Sequence, residues 1–345
     1  MDQQVRKILV VRFSSLGDLI LTTPFFREVK KLFPQAEVHF LTSSTFAPLF
    51  EGNPHIDKQL IFDRSAGAEE VKRWALQIGF EQYDLLFDLH RSLRSRLLLL
   101  KALGPFSRRL IPINKRSLKR NLLLKFGWDR FDQPEPQRLA YLATLKGFAK
   151  TQALASDTEL FPSTADHQQV EDILREKRIE GNPLICLGPS ASFDLKCWPK
   201  ERFLALGLAL YDQGYQPLSL GAASDLEPVY LEEASDGKII NLAGQFSFLQ
   251  SAAMLKKARL SISNDSAVVH FSEAVGTPSI ALFGPTVAQF GYAPFLEQSQ
   301  IMERDLGCRP CSRNGKGGCT NPKGRLCMED ITADQVVEAA LKTLG

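Results

Sequence analysis

The sequence predicts an α/β protein made of two doubly wound domains, each with a parallel β-sheet covered by helices on both faces. Three observations lead to this prediction. Short β-branched runs alternate with longer amphipathic runs along most of the chain, which is typical of βαβ units. A polar, proline-bearing stretch at residues 129–136 and a loop at residues 156–162 interrupt the alternation, which then starts again. The length of 345 residues is long for one core and suits two domains of about 150 residues each.

The first half of the chain provides the strands of the first predicted domain. We expect them at residues 7–13, 37–42, 59–62 and 84–88, with helices at residues 18–33, 68–78, 90–103 and 139–149. Pro24 lies inside the first helical pattern and lacks the N–H that a helix interior needs. We therefore expect an early break, with Thr22 or Thr23 capping a helix that starts at the proline.

The second half repeats the alternation and predicts a second sheet. Its strands are expected at residues 184–187, 216–220, 239–241, 260–263 and 279–283, with helices at residues 201–213 and 248–258. The run from Thr332 to Gln335 has the capping-box pattern and predicts a last helix that reaches Leu344. We place the domain boundary between residues 150 and 170, which assigns residues 1–160 to the first domain and 161–345 to the second. Ligands bind such folds at the carboxyl ends of the strands, so we expect the site in the cleft between the domains.

Composition excludes several classes of protein. Hydrophobic residues make up 44% of the chain and charged residues 23%, which excludes long disordered segments. No apolar run approaches the ~18–20 residues of a membrane span. Arg12 and Asp18 interrupt the first apolar stretch, which argues against a signal peptide. We expect a cytoplasmic protein.

Basic residues concentrate in residues 91–125, called here the basic segment. The segment holds eleven of the 42 Lys and Arg residues and no Asp or Glu, so the remainder of this chain of net charge +3 carries about −8. Its basic members are Arg91, Arg94, Arg96, Lys101, Arg108, Arg109, Lys115, Arg116, Lys119, Arg120 and Lys125. Such a zone indicates either an anionic partner or a solvated helix face. Nucleic acid is not the partner that we expect.

The first candidate site is the run S-S-L-G-D at residues 14–18, directly after the first predicted strand. A helix N-terminus beside Asp18 favours an ionised carboxylate, and a general base must be ionised to work. The alternative is that Asp18 only caps the helix. The run is neither the dinucleotide-binding fingerprint nor a phosphate-binding loop.

Two loops of the second predicted domain are candidates for binding an anion. The loop at residues 188–199 presents Lys196, whose point charge suits a pyrophosphate, although a plain surface lysine is equally compatible with the pattern. The run S-N-D-S-A-V-V-H at residues 263–270 leads from a strand into a helix whose first amides are free to bind an anion. Asp265 in that run either caps the helix or orients a sugar hydroxyl.

A third loop carries acidic residues after a strand. The run L-G-A-A-S-D-L-E at residues 220–227 places Asp225 and Glu227 where a carboxylate could accept hydrogen bonds from ribose hydroxyls. Each loop alone is a weak signal, but all of these loops follow strands and they are divided between two domains.

Four of the six cysteines, Cys308, Cys311, Cys319 and Cys327, lie within twenty residues of each other. In a reducing cytoplasm this clustering favours a metal site or free thiols over disulfides. Only the C-x-x-C half has a spacing typical of zinc fingers, and no histidine lies nearby. Structural Zn²⁺ and free thiols therefore both stay open, and the position before the last helix suggests a structural clasp.

Taken together, the motifs resemble glycosyltransferase family 9, the ADP-heptose:lipopolysaccharide heptosyltransferases. The likeness runs nearly end to end. It comprises S-S-L-G-D-L-I-L-T-T-P from residue 14, D-L-H-R-S-L-R-S at 88–95, K-C-W-P at 196–199, N-D-S-A-V-V-H with G-T-P-S-I-A-L-F-G-P-T between 264 and 286, and C-R-P-C leading to D-I-T at 330–332. The resemblance implies a GT-B fold, with the acceptor on the N-terminal domain and the sugar nucleotide on the C-terminal one.

The resemblance also implies a role for each candidate residue. Asp18 matches the general base, Lys196 the phosphate-binding lysine, and Asp225 or Glu227 the acid that holds the ribose. Further donor-side positions are Ser190, Ser192, Phe246 beside the adenine, Asp265, Ser266, Ala267 and His270. Acceptor-side positions are Arg12, Ser15, Arg91 and Arg94. Ala267 stands where members usually have glycine, and its methyl group restricts the approach of the phosphates.

The activity implied is inverting transfer of a heptose from ADP-heptose to the inner core of lipopolysaccharide, with no cofactor required for catalysis. The acceptor would be an anionic glycolipid at the inner face of the cytoplasmic membrane, so we expect peripheral contact with that membrane. Arg91 and Arg94 are then expected to bind the acceptor. Membrane attachment is expected from Lys115, Arg116, Lys119 and Arg120. Alternatives are a GT-B-like sugar-nucleotide epimerase and a non-catalytic sugar-nucleotide-binding protein.

Overall fold

The computed structural model describes residues 5–103, 110–149, 153–179 and 181–345. The chain divides into two compact units. Unit 1 comprises Met1–Lys115 and Gln137–Phe161, and unit 2 comprises Arg116–Pro136 and Pro162–Gly345. The segment Arg116–Pro136 is thus grouped with unit 2, which differs from a single division near residue 160. Among the described residues, no helix is both long and apolar enough to cross a membrane.

Eleven strands form two parallel sheets within the described part of the chain. The sheet of unit 1 has the order β3-β2-β1-β4-β5, and its strands are β1 (Lys7–Val11), β2 (Glu37–Ser43), β3 (Lys58–Phe62), β4 (Leu85–Asp88) and β5 (Leu110–Pro112). The sheet of unit 2 has the order β11-β10-β9-β6-β7-β8. Its strands are β6 (Leu184–Gly188), β7 (Gln216–Ser219), β8 (Ile240–Asn241), β9 (Leu260–Asn264), β10 (Ser279–Phe283) and β11 (Gln300–Glu303). The predicted doubly wound fold is confirmed.

The helices lie between the strands, as βαβ units require. In the first half they are α1 (Leu16–Ile20), α2 (Thr23–Leu32), α3 (Gly67–Glu81), α4 (Leu93–Leu103), α5 (Ser117–Phe126), α6 (Gln137–Leu142) and α7 (Lys146–Ala149). In the second half they are α8 (Thr164–Glu176), α9 (Lys200–Asp212), α10 (Glu227–Ala234), α11 (Phe248–Lys257), α12 (Ala267–Ala274), α13 (Leu326–Glu329) and α14 (Ala333–Leu344). The capping box predicted at Thr332 is present at the start of α14.

The break expected at Pro24 is also present. α1 ends at Ile20, and Pro24 is the second residue of α2, where its missing N–H costs no helical hydrogen bond. Thr22 holds the N-cap position, but its hydroxyl donates backwards to the Leu19 carbonyl at 2.6 Å and makes no cap hydrogen bond. The proline therefore sets this boundary without the expected threonine cap.

The central strands of each sheet are buried, as the residue-by-residue burial of β1, β9 and β10 shows. On one face of the unit 1 sheet, α3 and α4 pack on β1 through Trp74, Ile78 and Leu98. On one face of the unit 2 sheet, α9 and α14 pack through Phe203 and Val336. Because parallel strands end at one edge, the loops that follow β1, β4, β6 and β9 collect the candidate residues of each unit.

Candidate functional site

The carboxylate of Asp18 is the centre of the candidate site in unit 1. Asp18 lies in the first turn of α1, directly after β1. Its Oδ2 is 2.8 Å from a guanidinium nitrogen of Arg12 and accepts a 2.9 Å hydrogen bond from the Ser15 hydroxyl. The Tyr141 hydroxyl donates to Oδ1 at 3.0 Å. The side chain keeps 16% of its surface exposed, so the carboxylate is held from several sides and stays within reach of a ligand.

Arg12 supports this carboxylate from inside the protein. It is only 5% exposed, donates to the Leu89 carbonyl, and lies 5.2 Å from the centre of the Tyr141 ring. It was predicted to bind the acceptor. In the structure it forms the ion pair with Asp18, and its contact with the acceptor stays a prediction. Tyr141 was not predicted, because it lies on α6, 123 residues along the chain from Asp18.

A turn after β4 brings His90 into the same unit. The backbone N–H groups of His90 and Arg91 donate to Oδ1 of Asp88 at 3.1 and 2.7 Å, and burial raises the pKa of Asp88. Burial, with Arg12 and Lys115 adding positive charge, lowers the pKa of His90 to about 3. The ring is therefore neutral at physiological pH, and its buried Nδ1 has no hydrogen-bond partner among the described residues. Prediction missed His90, although it stands in the D-L-H-R-S motif.

Arg91 and Arg94 follow β4 closely in sequence, but their side chains make different contacts. Arg91 has a positive φ of 45° and donates to the Ile113 carbonyl at 2.8 Å. Arg94 holds its guanidinium 5.9 Å from the centre of the Phe62 ring. Both residues are half-buried. Each side chain is therefore held by one contact and keeps part of its surface accessible to a ligand.

Lys196 is the charged centre of the candidate site in unit 2. It ends a short 3₁₀ turn, Asp194–Lys196, after β6. Its ammonium group is 2.7 Å from Oδ2 of Asp265 and 3.2 Å from the Asp265 carbonyl oxygen. The Thr286 hydroxyl donates to the same carboxylate at 2.7 Å. Asp265 was expected to cap α12 or to orient a hydroxyl. The cap is Ser266 instead, whose hydroxyl accepts from the Val268 N–H at 3.4 Å.

The loops around this ion pair are held close together. The Asn264 side chain accepts from the Trp198 N–H at 3.0 Å and donates to the Pro189 carbonyl at 2.7 Å, which ties the loop after β9 to the loop after β6. A Cβ on Gly188 would lie 2.6 Å from Cβ of Ser263, so this close approach requires glycine. Asn264 was not singled out from the sequence, where it reads as part of the N-D-S motif.

The two candidate ribose acids make different contacts. Asp225 accepts from the Ala222 N–H at 2.9 Å and thereby closes its own loop. Glu227 is the first residue of α10, and its carboxylate accepts a 2.9 Å hydrogen bond from the Ser190 hydroxyl. Glu227 and Ser190 therefore join the ends of two neighbouring strands, whereas Asp225 serves the turn.

The remaining donor-side residues differ in exposure. Ser192 is exposed, Phe246, Ser266 and Ala267 are half-buried, and His270 is buried with its ring 6.2 Å from that of Tyr292. Ala267 opens α12, so its amide belongs to the first turn of that helix. His270 lies one turn deeper and faces the interior.

The cysteine-rich segment, residues 308–327, supports Lys196. A Cβ on Gly315 would lie 2.7 Å from Cγ of Lys196, and the Gly315 N–H donates to the Ser312 hydroxyl at 3.0 Å. The Arg325 guanidinium donates to the carbonyls of Asp194 and Cys197 at 2.5 and 3.2 Å, on either side of the lysine. The segment therefore braces the turn that carries the charge.

The cysteines themselves are free thiols in the structure. Burial raises the pKa of Cys327 to about 11, and the nearby Cys311 thiol adds to the rise. Across the described ranges of the chain, no three His, Cys, Asp or Glu side chains are placed to hold a metal ion. Structural zinc at these cysteines stays a prediction.

The basic segment is not one continuous surface. Arg116 keeps 9% of its side chain exposed and pairs with Glu135 at 2.6 Å. Arg120 is 5% exposed and donates to the Phe290 carbonyl at 2.7 Å. The charges of these two residues are thus used inside unit 2, which argues against a part for them in membrane attachment. Arg108 and Arg109 lie outside the described residues.

Known protein families and curated proteins include relatives of this chain. The family model of glycosyltransferase family 9 (heptosyltransferase) matches residues 71–318. A lipooligosaccharide heptosyltransferase 2 of Haemophilus ducreyi is 27% identical, with 96% of this chain and 97% of that protein covered.

Two solved structures share the fold. A family 9 glycosyltransferase of Veillonella parvula has a TM-score of 0.81 and 23% identity, with 100% of this chain and 98% of that chain covered. The ADP-heptose lipopolysaccharide heptosyltransferase II of Escherichia coli has a TM-score of 0.74 and 22% identity over 98% of each chain. Since the family model covers well over half of the chain, this protein belongs to glycosyltransferase family 9, the heptosyltransferase family.

Proposed function

We propose that this chain transfers a heptose from ADP-heptose to the inner core of lipopolysaccharide, with inversion at the anomeric carbon. The observation that carries the proposal is the pair of charged centres, Asp18 after β1 and Lys196 after β6, in a member of the heptosyltransferase family. The Escherichia coli structure, whose name specifies ADP-heptose and lipopolysaccharide, supports the choice of donor and acceptor. In this proposal unit 1 binds the acceptor and unit 2 binds the donor.

On the donor side, Lys196 would exchange partners. Without a nucleotide its charge is balanced by Asp265. A bound diphosphate offers the ammonium a stronger, more highly charged partner, and the first amides of α12 add dipolar stabilisation. As the sugar–phosphate bond breaks, negative charge grows on the departing ADP. Lys196 and these amides are then in place to stabilise it.

On the acceptor side, Asp18 would act as the general base. It accepts the proton of an acceptor hydroxyl as that oxygen attacks the anomeric carbon in line with the departing ADP. Tyr141, Ser15 and Arg12 fix the orientation of the carboxylate. A base held in this way is worth about 100- to 10,000-fold in rate.

Recognition of the two substrates would use the outer parts of each site. Glu227, joined to Ser190, is the better ribose acid, because Asp225 is engaged by its own turn. Phe246 is half-buried and would lie beside the adenine. Arg91 and Arg94 carry positive charge at the end of β4 and would meet the phosphates or carboxylates of the acceptor. The positive charge for this mechanism comes from protein groups, and none of its steps uses a cofactor.

The test is a product analysis by mass spectrometry. The full chain is incubated with ADP-heptose, other ADP-sugars and UDP-sugars, each with and without a truncated lipopolysaccharide core. We expect heptose addition to the core only with ADP-heptose. Turnover of a hexose donor instead would refute the donor assignment. Isomerised sugar nucleotide without acceptor would indicate an epimerase, and tight binding without turnover would indicate a binding protein.

A further inference from the structure

Helices α3 and α4 of unit 1 lie side by side on one face of the sheet. Trp74 and Ile78 of α3 and Leu98 and Leu99 of α4 belong to the same hydrophobic cluster as Leu9 of β1. Because both helices use one side to cover the same face of the sheet, their opposite sides point away from the sheet together.

The outward sides of these two helices are unusually apolar. They expose five large residues, Leu76, Phe80, Leu93, Leu97 and Leu100, called here the outer face of α3 and α4. Phe80 is 84% exposed and Leu93 is 76% exposed. The three leucines of α4 recur at intervals of four and three residues, which lines them up along one side of the helix. Single exposed apolar residues are common, but a patch of this kind marks an interaction site.

Positive charge accompanies this apolar patch. Arg96 and Lys101 are exposed on α4, and neither forms an ion pair with another described residue. α4 contains no acidic residue. On α3, Lys72 and Arg73 are also exposed, but they pair with Glu69 and Glu70. The uncompensated charge is therefore positive and lies on α4, next to the exposed leucines.

We propose that the outer face of α3 and α4 docks this protein on an anionic lipid leaflet. Apolar side chains flanked by Lys and Arg bind such an interface through both burial and attraction to the headgroups. A second copy of the chain fits less well, because pairing α4 with α4 would bring Arg96 and Lys101 against like charges. The docking role rests on the proposed function in one respect: the acceptor is then a glycolipid held in that leaflet.

This location differs from the one expected around residues 115–120. There, the Arg116 side chain is only 9% exposed and Arg120 is buried, and both form internal contacts. Unit 2 does expose Leu118 and Phe126 on α5, so α5 provides the matched control surface. Substitutions there change exposed apolar residues of similar size without touching α3 or α4.

The experiment measures binding of the full chain to vesicles of phosphatidylethanolamine with phosphatidylglycerol, and to vesicles of phosphatidylcholine alone. The apolar variant is Phe80→Gln with Leu93→Gln and Leu97→Gln, and the charge variant is Arg96→Gln with Lys101→Gln. The control is Leu118→Gln with Phe126→Gln. We expect partition to anionic vesicles to fall at least about tenfold in the apolar variant. In the charge variant, partition to anionic vesicles at low salt should fall about fivefold for each residue replaced. The control should bind like the wild type.

Several outcomes would overturn the docking role. The first is that the wild type does not bind anionic vesicles. The second is that the apolar variant binds them as the wild type does. The third is that the α5 control, and not the apolar variant, loses binding. Sedimentation velocity measures the oligomeric state of the same variants. If the wild type is a dimer, the apolar variant is a monomer and both bind vesicles equally, then this face is an interface between copies of the chain. Heptose transfer to a soluble, delipidated core is measured in parallel and should be unchanged in every variant. Its absence in the wild type would refute the proposed function and leave the vesicle result standing.

Discussion

Gly315→Ala tests whether the cysteine-rich segment positions Lys196. Gly315 has a φ of +89°, and a Cβ there would lie 2.7 Å from Cγ of Lys196 and 3.2 Å from its Cδ. Non-bonded carbons prefer about 3.5–4.0 Å, so the lysine stem must move by about 1 Å. Cγ is near the root of the side chain and cannot swing aside alone. The ammonium is therefore displaced from its site, and a charge-assisted hydrogen bond worth about 1.5–3 kcal/mol is weakened or lost.

The matched control is Gly317→Ala. Gly317 has a φ of +114°, and its Cβ would meet nothing within 4 Å. Both variants carry the backbone strain of a positive φ, roughly 1–2 kcal/mol of stability, but only Gly315→Ala adds the contact with Lys196. Calorimetry with ADP should give about 10- to 100-fold weaker binding for Gly315→Ala and a change within about twofold for Gly317→Ala. Equal losses in both would assign the effect to strain, and unchanged affinity in Gly315→Ala would refute the positioning of Lys196 by this segment.

The other predictions concern the two sites directly. Asp18→Asn should keep ADP affinity and lose about 100- to 10,000-fold in kcat, measured by product formation; near-normal turnover would remove it as the base. Lys196→Ala should weaken both ADP binding and turnover, and calorimetry showing unchanged ADP affinity would contradict its phosphate role. Glu227→Gln should raise KM for the donor more than Asp225→Asn does, provided that both variants melt at a similar temperature; the reverse order would exchange their roles. The lowered pKa of His90 means that the unfolded chain takes up a proton below pH 6.5 while the folded chain does not, so stability falls as the pH falls. Denaturant unfolding measures the free energy of unfolding at pH 7 and pH 5. Between these pH values the wild type should lose about 2 kcal/mol more of it than His90→Gln does. Equal losses would mean that His90 is protonated in the folded chain and would contradict its lowered pKa.

Local sequence patterns predicted most of the strands and several helix ends. The strand at residues 279–283 and the capping box at Thr332 were predicted as they occur, and Pro24 marked the break between α1 and α2. These features depend on residues only a few positions apart, so a local sequence pattern is enough to predict them. β5 and β11 were missed, because short, half-buried edge strands have little apolar alternation to find.

The family was also accessible from sequence. Short motifs after successive strands led to glycosyltransferase family 9, and the family model confirms that resemblance. The same motifs indicated Asp18 and Lys196 as charged residues at strand ends, where both lie. Their chemical roles stay predictions.

What each charge contacts was decided only by the tertiary structure. Tyr141 reaches Asp18 across 123 residues of chain, and Asp265 pairs with Lys196 across 69. Neither pairing has a local signal, because chain folding brings together residues that no sequence period relates. Exposure follows the same rule. Arg120 and Arg96 look alike in a basic run, but one is buried against the Phe290 carbonyl while the other faces solvent. The sequence by itself determined where most strands and several helices begin and which residue types they carry. The packing of those elements determined which charges are used in contacts inside the protein and which stay available to a ligand.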